Sequence, residues 1–346
     1  MRPISYADAI NEAIRQEMRR DDRVFVYGIG VPTANRIFGS VAGIAEEFGT
    51  ERCFDTPIAE DTMTGFGLGA AICGLRPIHV HIRVDFLLLA MNQLVNMISS
   101  HTYGTCGRHK VPLVIRALVG RGWGQGYQHS KSLHSYFAHV PGLKVACPTS
   151  PHDAKGLTTA AIRDDNPVLL LEHRWLYWAT EHVPPEPYET EFGKARVIRE
   201  GSDITIVATS WMNVEALRAA DVLAKRGIHV EVVDPRTIAP LDQDTICASA
   251  GKTGHCIVAD NDWIHAGFSA ELAATVAEGC FGRLKSPVTR IAWPQTPCPT
   301  VRTLENEFYP NAVTLIREVE KKLRLSPTDL SGEDFYSHER RFAGPF

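Results

Sequence analysis

No two of the eight cysteines form a Cys-x-x-Cys pair; they fall singly at 53, 73, 106, 147, 247, 256, 280 and 298. That scatter excludes a zinc finger or ribbon and argues against a disulfide framework, so reduced thiols are expected. No apolar run approaches the ~18 residues of a membrane-spanning helix. A net charge of -4 gives no footing for nucleic acid or a membrane surface. The opening Met-Arg-Pro-Ile-Ser-Tyr-Ala-Asp has no apolar signal core, so a cytoplasmic protein is expected. There is no Walker loop and no Gly-x-Ser-x-Gly elbow, which excludes P-loop phosphate chemistry and the usual hydrolase nucleophile. Internal repeats and low-complexity tracts are also absent.

What is present is 346 residues of ordinary globular composition, 44% hydrophobic and 22% charged. That length exceeds one core, so two domains are expected. Apolar β-rich runs alternate with helical periodicity, which predicts parallel α/β construction. In the first half, helices are predicted at 5–20, 38–48, 86–100 and 151–162, with strands at 24–27, 77–84, 113–116, 143–146 and 168–172. Ser150 and Pro151 serve as cap and first-turn residue. Val183-Pro-Pro-Glu-Pro is too proline-rich for regular structure and reads as a linker. A second α/β unit follows, with strands at 204–208, 229–233, 256–259 and 288–291. Its helices are predicted at 213–226, 242–250, 269–278 and 312–323. The expected division is therefore 1–182, a linker 183–200, 201–325, and a tail 326–346 that docks or is disordered.

Two segments carry chemistry. Phe54-Asp-Thr-Pro-Ile-Ala-Glu60 delivers a carboxylate to a helix N-terminus, and Gly65-Phe-Gly-Leu-Gly-Ala-Ala lets that helix press on its neighbours. Taken alone, Glu60 is a helix-cap carboxylate. The second segment, Gly124-Gln-Gly-Tyr-Gln-His129-Ser130, sets an imidazole in a glycine-rich loop. A lone loop histidine is usually a surface residue, but one acid and one imidazole suffice for proton management around an organic cofactor. Gly65-x-Gly-x-Gly lacks the spacing of a dinucleotide loop.

These residues, with Pro141-Gly-Leu-Lys-Val, make about residues 3 to 323 resemble the β subunit of the thiamine diphosphate-dependent decarboxylase component of 2-oxo acid dehydrogenases. The resemblance implies two parallel-sheet, three-layer α/β domains, a pyrimidine-binding and a C-terminal transketolase-type domain. It implies that Glu60 bonds the aminopyrimidine of thiamine diphosphate, with its pKa raised beside an apolar ring. Phe86 would pack on that ring, and His129 would serve the substrate side. A potassium site from Leu113, Ala161, Asp164 and Asn166 is implied as well, its oxygen-only ligation suiting a hard cation. The family's Mg²⁺ ligands follow a Gly-Asp-Gly segment, which this chain does not contain. It thus looks like half a site, completed by an α subunit in an α2β2 heterotetramer that holds the diphosphate and Mg²⁺. The apolar start of the helix at 86–100 suits that interface.

Some positions depart from the family. Gly28-Ile29-Gly30 replaces the usual Gly-Glu-Asp, which puts in doubt an acidic proton path between paired sites. His79-Val-His81-Ile-Arg83-Val-Asp85 is more polar than its counterparts, and Arg121-Gly-Trp123-Gly-Gln125 is unusual. Arg83, Arg121 and Gln128 are therefore substrate candidates, for a larger or anionic molecule; Arg83 pairing with Asp85 or the α chain is the bland alternative. The expected reaction is decarboxylation of a 2-oxo acid with acyl transfer to a lipoyl or acyl carrier. Alternatives are ketol or acyl transfer with a sugar phosphate or aldehyde, as in surface-sugar biosynthesis, and a non-catalytic assembly subunit. Retention of Glu60 and His129 argues against the last.

Overall fold

The computed structural model describes residues 1–33, 36–121 and 125–335, without the side chains of Arg36 and Phe38. Trp123, Gly124 and the tail from 336 onward lie outside the described residues. Strands in the first part of the chain are β1 Arg2–Ser5, β2 Val24–Gly28, β3 Cys53–Phe54, β4 Arg76–His81, β5 Val114–Val119, β6 Lys144–Ala146, β7 Val168–His173 and β8 Thr180–Val183. Those that follow are β9 Arg196–Arg199, β10 Ile204–Ala208, β11 Val230–Asp234, β12 Thr237–Ala239, β13 Cys256–Trp263 and β14 Thr289–Trp293. Two compact units result. One comprises residues 1–120, 131–192 and 238–240; the other comprises 121–130, 193–237 and 241–346.

The first unit is built on a seven-stranded sheet in the order β12-β6-β7-β5-β4-β2-β3. Pairings among β3, β2, β4, β5, β7 and β6 are parallel. Every residue of β2, β4, β5 and β7 is buried, as strands covered on both faces must be. Helix α1, Tyr6–Arg20, starts on Ser5, whose hydroxyl accepts from the Asp8 N–H at 3.1 Å. It packs along the helix Pro151–Arg163, capped by Ser150 as its sequence predicts. A separate antiparallel pair, β1 with β8, ties the N-terminal residues to 180–183.

Two expectations need correction here. The predicted helix 38–48 is a one-turn 3-10 segment, Arg36–Gly39, and a short helix α2, Ile44–Phe48. Gly39 and Gly43 between them hold φ of 84° and 69°, outside helical geometry. The predicted regular helix 86–100 is an irregular helical run from Val84 to Gly104, with α, 3-10 and π turns in succession.

The second unit has a five-stranded sheet in the order β14-β13-β10-β11-β9, parallel except for the antiparallel edge strand β9. Its helices Trp211–Ala224, Gln243–Thr253, Phe268–Gly279 and Ala312–Leu323 follow the predicted pattern. A further helix, Arg302–Phe308, was not anticipated from the sequence. Residues 326–335 fold back onto this unit. The Thr328 N–H donates to Glu320 at 2.6 Å, and Phe335 is buried in the core around Ile204 and Val230.

Candidate active site

Glu60 opens helix α3, Glu60–Ile72, directly after Pro57-Ile-Ala. The preceding Ala59 gives no side-chain cap, so the first-turn carboxylates Glu60 and Asp61 face the positive end of the helix dipole. The helix lies close to β2 because Gly67 has no side chain: a Cβ there would stand 2.2 Å from the Tyr27 hydroxyl oxygen. That hydroxyl donates to the Met63 carbonyl at 2.9 Å.

Glu60 is half-buried in the wall of a small pocket of about 40 Å³. Phe86, Arg83, His79, His81 and Met63 line the same pocket. The structure thus brings together three residues singled out in the sequence, Glu60, Phe86 and Arg83. The Glu60 carboxylate has neither a hydrogen-bond donor nor an ion-pair partner among the described residues. An acid that the protein leaves unengaged in a pocket is available to a ligand. The Gly30 N–H donates to Asp55 at 2.6 Å, so a carboxylate does stand near the end of β2, supplied from another loop.

Beneath the pocket lies a cluster that sequence reasoning saw only as unusual polarity. His79 and His81 alternate along β4 and so share a face. His79 Nδ1 and His81 Nε2 are 3.2 Å apart, and Thr64 Oγ1 lies 3.4 and 3.3 Å from them. Thr64 follows Glu60 by one helical turn, on the same face of α3. The Tyr27 ring stacks on His79 at 4.4 Å. Burial drives the His81 pKa down to about 3 and that of His79 well below its usual value, with His81 adding to the latter. Both imidazoles are therefore neutral, one donating its N–H to the other. The i, i+2 spacing of two histidines in a buried strand was the available signal.

The remaining candidates belong to the second unit. His129 is half-buried at the end of a 3-10 turn, Gly126–Gln128, with its N–H bonded to the Gly126 carbonyl at 3.3 Å. Gln128 is exposed on that turn. Gly126 packs against Thr300, where a Cβ would meet the hydroxyl at 2.5 Å. Arg121 is buried, donates to Glu305 Oε2 at 2.9 Å and lies over the Tyr309 ring at 4.4 Å. Its charge is committed to Glu305, which makes it a brace for this loop.

Leu113, Ala161, Asp164 and Asn166 meet where Pro151–Arg163 ends and β7 begins. The Leu113 carbonyl accepts from the Val168 N–H at 3.0 Å, and the Ala161 carbonyl from the Asp164 N–H at 3.3 Å. Asp164 Oδ1 accepts from the Asn166 N–H at 2.9 Å. Arg76 bonds the Asp164 carbonyl at 2.5 Å, and Lys144 pairs with the Asp164 carboxylate. Each carbonyl keeps a second lone pair, while Arg76 and Lys144 already bring two positive charges to Asp164.

Residues 2–178 match the family described as transketolase, pyrimidine binding domain, and residues 193–315 that described as transketolase, C-terminal domain. The 2-oxoisovalerate dehydrogenase subunit beta of Bacillus subtilis is 41% identical over 313 residues, covering 90% of this chain and 96% of that protein. The acetoin:2,6-dichlorophenolindophenol oxidoreductase subunit beta of Cupriavidus necator is 39% identical over 332 residues, covering 93% and 98%. The mitochondrial pyruvate dehydrogenase E1 component subunit beta of Homo sapiens is 36% identical, covering 93% and 91%. A solved split-gene transketolase, an inactive beta4 tetramer, superposes with a TM-score of 0.74 at 22% identity, covering 94% of this chain and 99% of that one. At that identity the likeness concerns the fold alone.

Proposed function

We propose, since this chain belongs to the family of β subunits of thiamine diphosphate-dependent 2-oxo acid dehydrogenases, that it supplies the pyrimidine-binding half of a decarboxylating site completed by an α subunit. The observation that carries this reading is the unengaged Glu60 carboxylate sharing one pocket with Phe86. When bound, thiamine diphosphate supplies an electron sink for the carbon–carbon bond lost as carbon dioxide.

The chain's own residues would do the following. Glu60 bonds the aminopyrimidine and shares a proton with it, a task needing a carboxyl group with no competing partner. Phe86, 38% exposed on the pocket wall, offers a flat apolar face to a ring. The neutral His79–His81 pair adds no charge behind Glu60. His129 serves proton transfer on the substrate side, with Gln128 beside it. Potassium is assigned to the corner formed by Leu113, Ala161, Asp164 and Asn166.

Mg²⁺ and the diphosphate fall to the α subunit, because the chain has no Gly-Asp-Gly segment. An α2β2 heterotetramer handing its acyl unit to a lipoyl or acyl carrier follows from the same reading. Exposed apolar side chains support a protein partner: Ile58, between the pocket residues Pro57 and Ala59, is 79% exposed, and Leu89 and Met97 on the run Val84–Gly104 are 63% and 47% exposed. No helix among the described residues is long and apolar enough to cross a membrane.

The test is to produce the chain with its α-type partner, add thiamine diphosphate and Mg²⁺, and follow 2-oxo acid decarboxylation with a dye acceptor. Glu60→Gln should lower kcat by ~10³-fold or more while the subunits still co-purify. Full activity in that variant would sink the assignment, and cleavage of ketose phosphates with 2-oxo acids inert would move the reaction to ketol transfer.

A further inference from the structure

The loop that carries His129 leaves and re-enters the first unit at one point, where the Gly120 N–H donates to the Lys131 carbonyl at 3.1 Å. Residues 121–130 between them nevertheless belong to the second unit. One short stretch of that unit, Cys298–Tyr309, touches the loop at its start, middle and end. At the start, the buried Arg121 donates to Glu305 Oε2 at 2.9 Å and lies over the Tyr309 ring at 4.4 Å. In the middle, Gly126 has φ +60° and sits so close to Thr300 that a Cβ would stand 2.5 Å from the hydroxyl oxygen. At the end, the Cys298 thiol reaches the carbonyl of the buried Ser130 at 4.0 Å. His129 precedes Ser130 and donates its own N–H to the Gly126 carbonyl at 3.3 Å, so it stands between the second and last of these contacts.

The loop has little of its own to fix a side chain. Gly122, Gly124 and Gly126 leave its backbone with more freedom to lose than other residues would. The stretch it rests on is anchored, by contrast. Cys298 and Phe308 share a small core with Trp293, and Tyr309 meets the Trp293 ring at 5.2 Å. Glu305 is wholly buried on the helix Arg302–Phe308. A guanidinium seated on a buried carboxylate and on a ring face is held in direction as well as in place. An imidazole that moves protons needs such a mounting, because a displacement of about 1 Å can cost ~10²-fold in rate.

We propose that Glu305, Tyr309 and Thr300 are positioning residues for His129, acting through Arg121 and Gly126 on the loop that bears it. The inference rests on the decarboxylase reading above, in which His129 serves the substrate side, and it gives the second unit a part in the reaction. Arg121, a substrate candidate from its sequence, becomes the strut between the helix Arg302–Phe308 and the loop.

The test uses the co-produced complex and reads hydrogen–deuterium exchange of the amides at 125–130 beside kcat for 2-oxo acid decarboxylation with a dye acceptor. Arg121→Met/Glu305→Met removes the strut without leaving a buried charge alone. It should speed exchange in the loop and lower kcat by ~10²-fold. Placed in a His129→Ala background, the same pair should cause no further loss, since it acts through the imidazole. Gly126→Ala should reproduce both effects by meeting Thr300, and Gly126→Ala/Thr300→Ala should give back part of the rate. Exchange unchanged in the double methionine variant overturns the proposal. So does faster exchange with kcat unmoved, or a full further loss in the His129→Ala background, which would mark a general loss of structure. Should the wild type consume no 2-oxo acid, the decarboxylase reading fails, and the exchange result alone then decides whether Cys298–Tyr309 holds the loop.

Discussion

Lowering the pH from 7.5 to 5 should weaken the first unit through two imidazoles that scarcely meet water. His79 and His81 are 3% and 6% exposed, and each is engaged by the other, by Thr64 and, for His79, by the Tyr27 ring. Their folded-state pKa values are depressed by burial, that of His81 to about 3. In the unfolded chain they titrate near 6.5. Below that pH the unfolded state binds protons that the folded state refuses, so stability is full above about 6.5 and falls as the pH drops toward 3. Each such imidazole contributes a slope of about 1.4 kcal/mol per pH unit, or roughly 2 kcal/mol per histidine at pH 5. Carboxylates such as Asp21, held at about 2 by its bond to Arg23, take up protons only at lower pH and leave this window to histidine. Urea unfolding at pH 7.5, 6.5, 5.5 and 5, followed by near-ultraviolet circular dichroism, gives the slope. His81→Phe should reduce it by close to one proton. Parallel loss of stability in variant and wild type between pH 6.5 and 5 would refute the reasoning.

Two further outcomes follow from buried charge and from the carbonyl corner. Arg116→Met strands Glu172, which Arg116 grips at 2.6 and 2.8 Å with Tyr177 also bonded to it, and should cost about 3–5 kcal/mol by calorimetry. Replacing both partners by methionine should recover most of that, and a single variant within about 1 kcal/mol of wild type would contradict the pairing. Exchanging potassium chloride for choline chloride should lower the Tm by a few degrees in the wild type and not in Asp164→Ala. Equal Tm values in the two salts would remove the cation from this corner.

Local chemistry made much of this fold legible. The Ser150–Pro151 start and the Asn311 capping box delimit their helices within the sequence itself, and the helix Ala312–Leu323 has the predicted bounds. Glu60 and Phe86 were legible as a pair because a short segment of chain, one helix and one strand, separates them. What escaped were relations without sequence periodicity. Arg121 meets Glu305 across 184 positions, and nothing in either neighbourhood announces the other. Val84–Gly104 is apolar enough to read as one helix, yet its hydrogen-bond register changes along the stretch that packs on α3. The meeting of Gly120 with Arg83 and His173 likewise exists only once three strands lie side by side.

Strand β12 carries a consequence for how the chain is made. It completes the first unit's sheet beside β6, yet it is encoded after residues 193–237, which belong to the other unit. During synthesis at roughly 5–20 residues per second, the nascent first unit waits some seconds for its last strand. In that interval β6 is an open edge, the kind of surface on which unrelated chains add a strand. A fragment cut at Phe192, where the two units' long segments divide, would keep that edge open for good. Expression of the pyrimidine-binding unit alone therefore calls for the 238–240 segment to be supplied, or for β6 to carry a charge that discourages pairing.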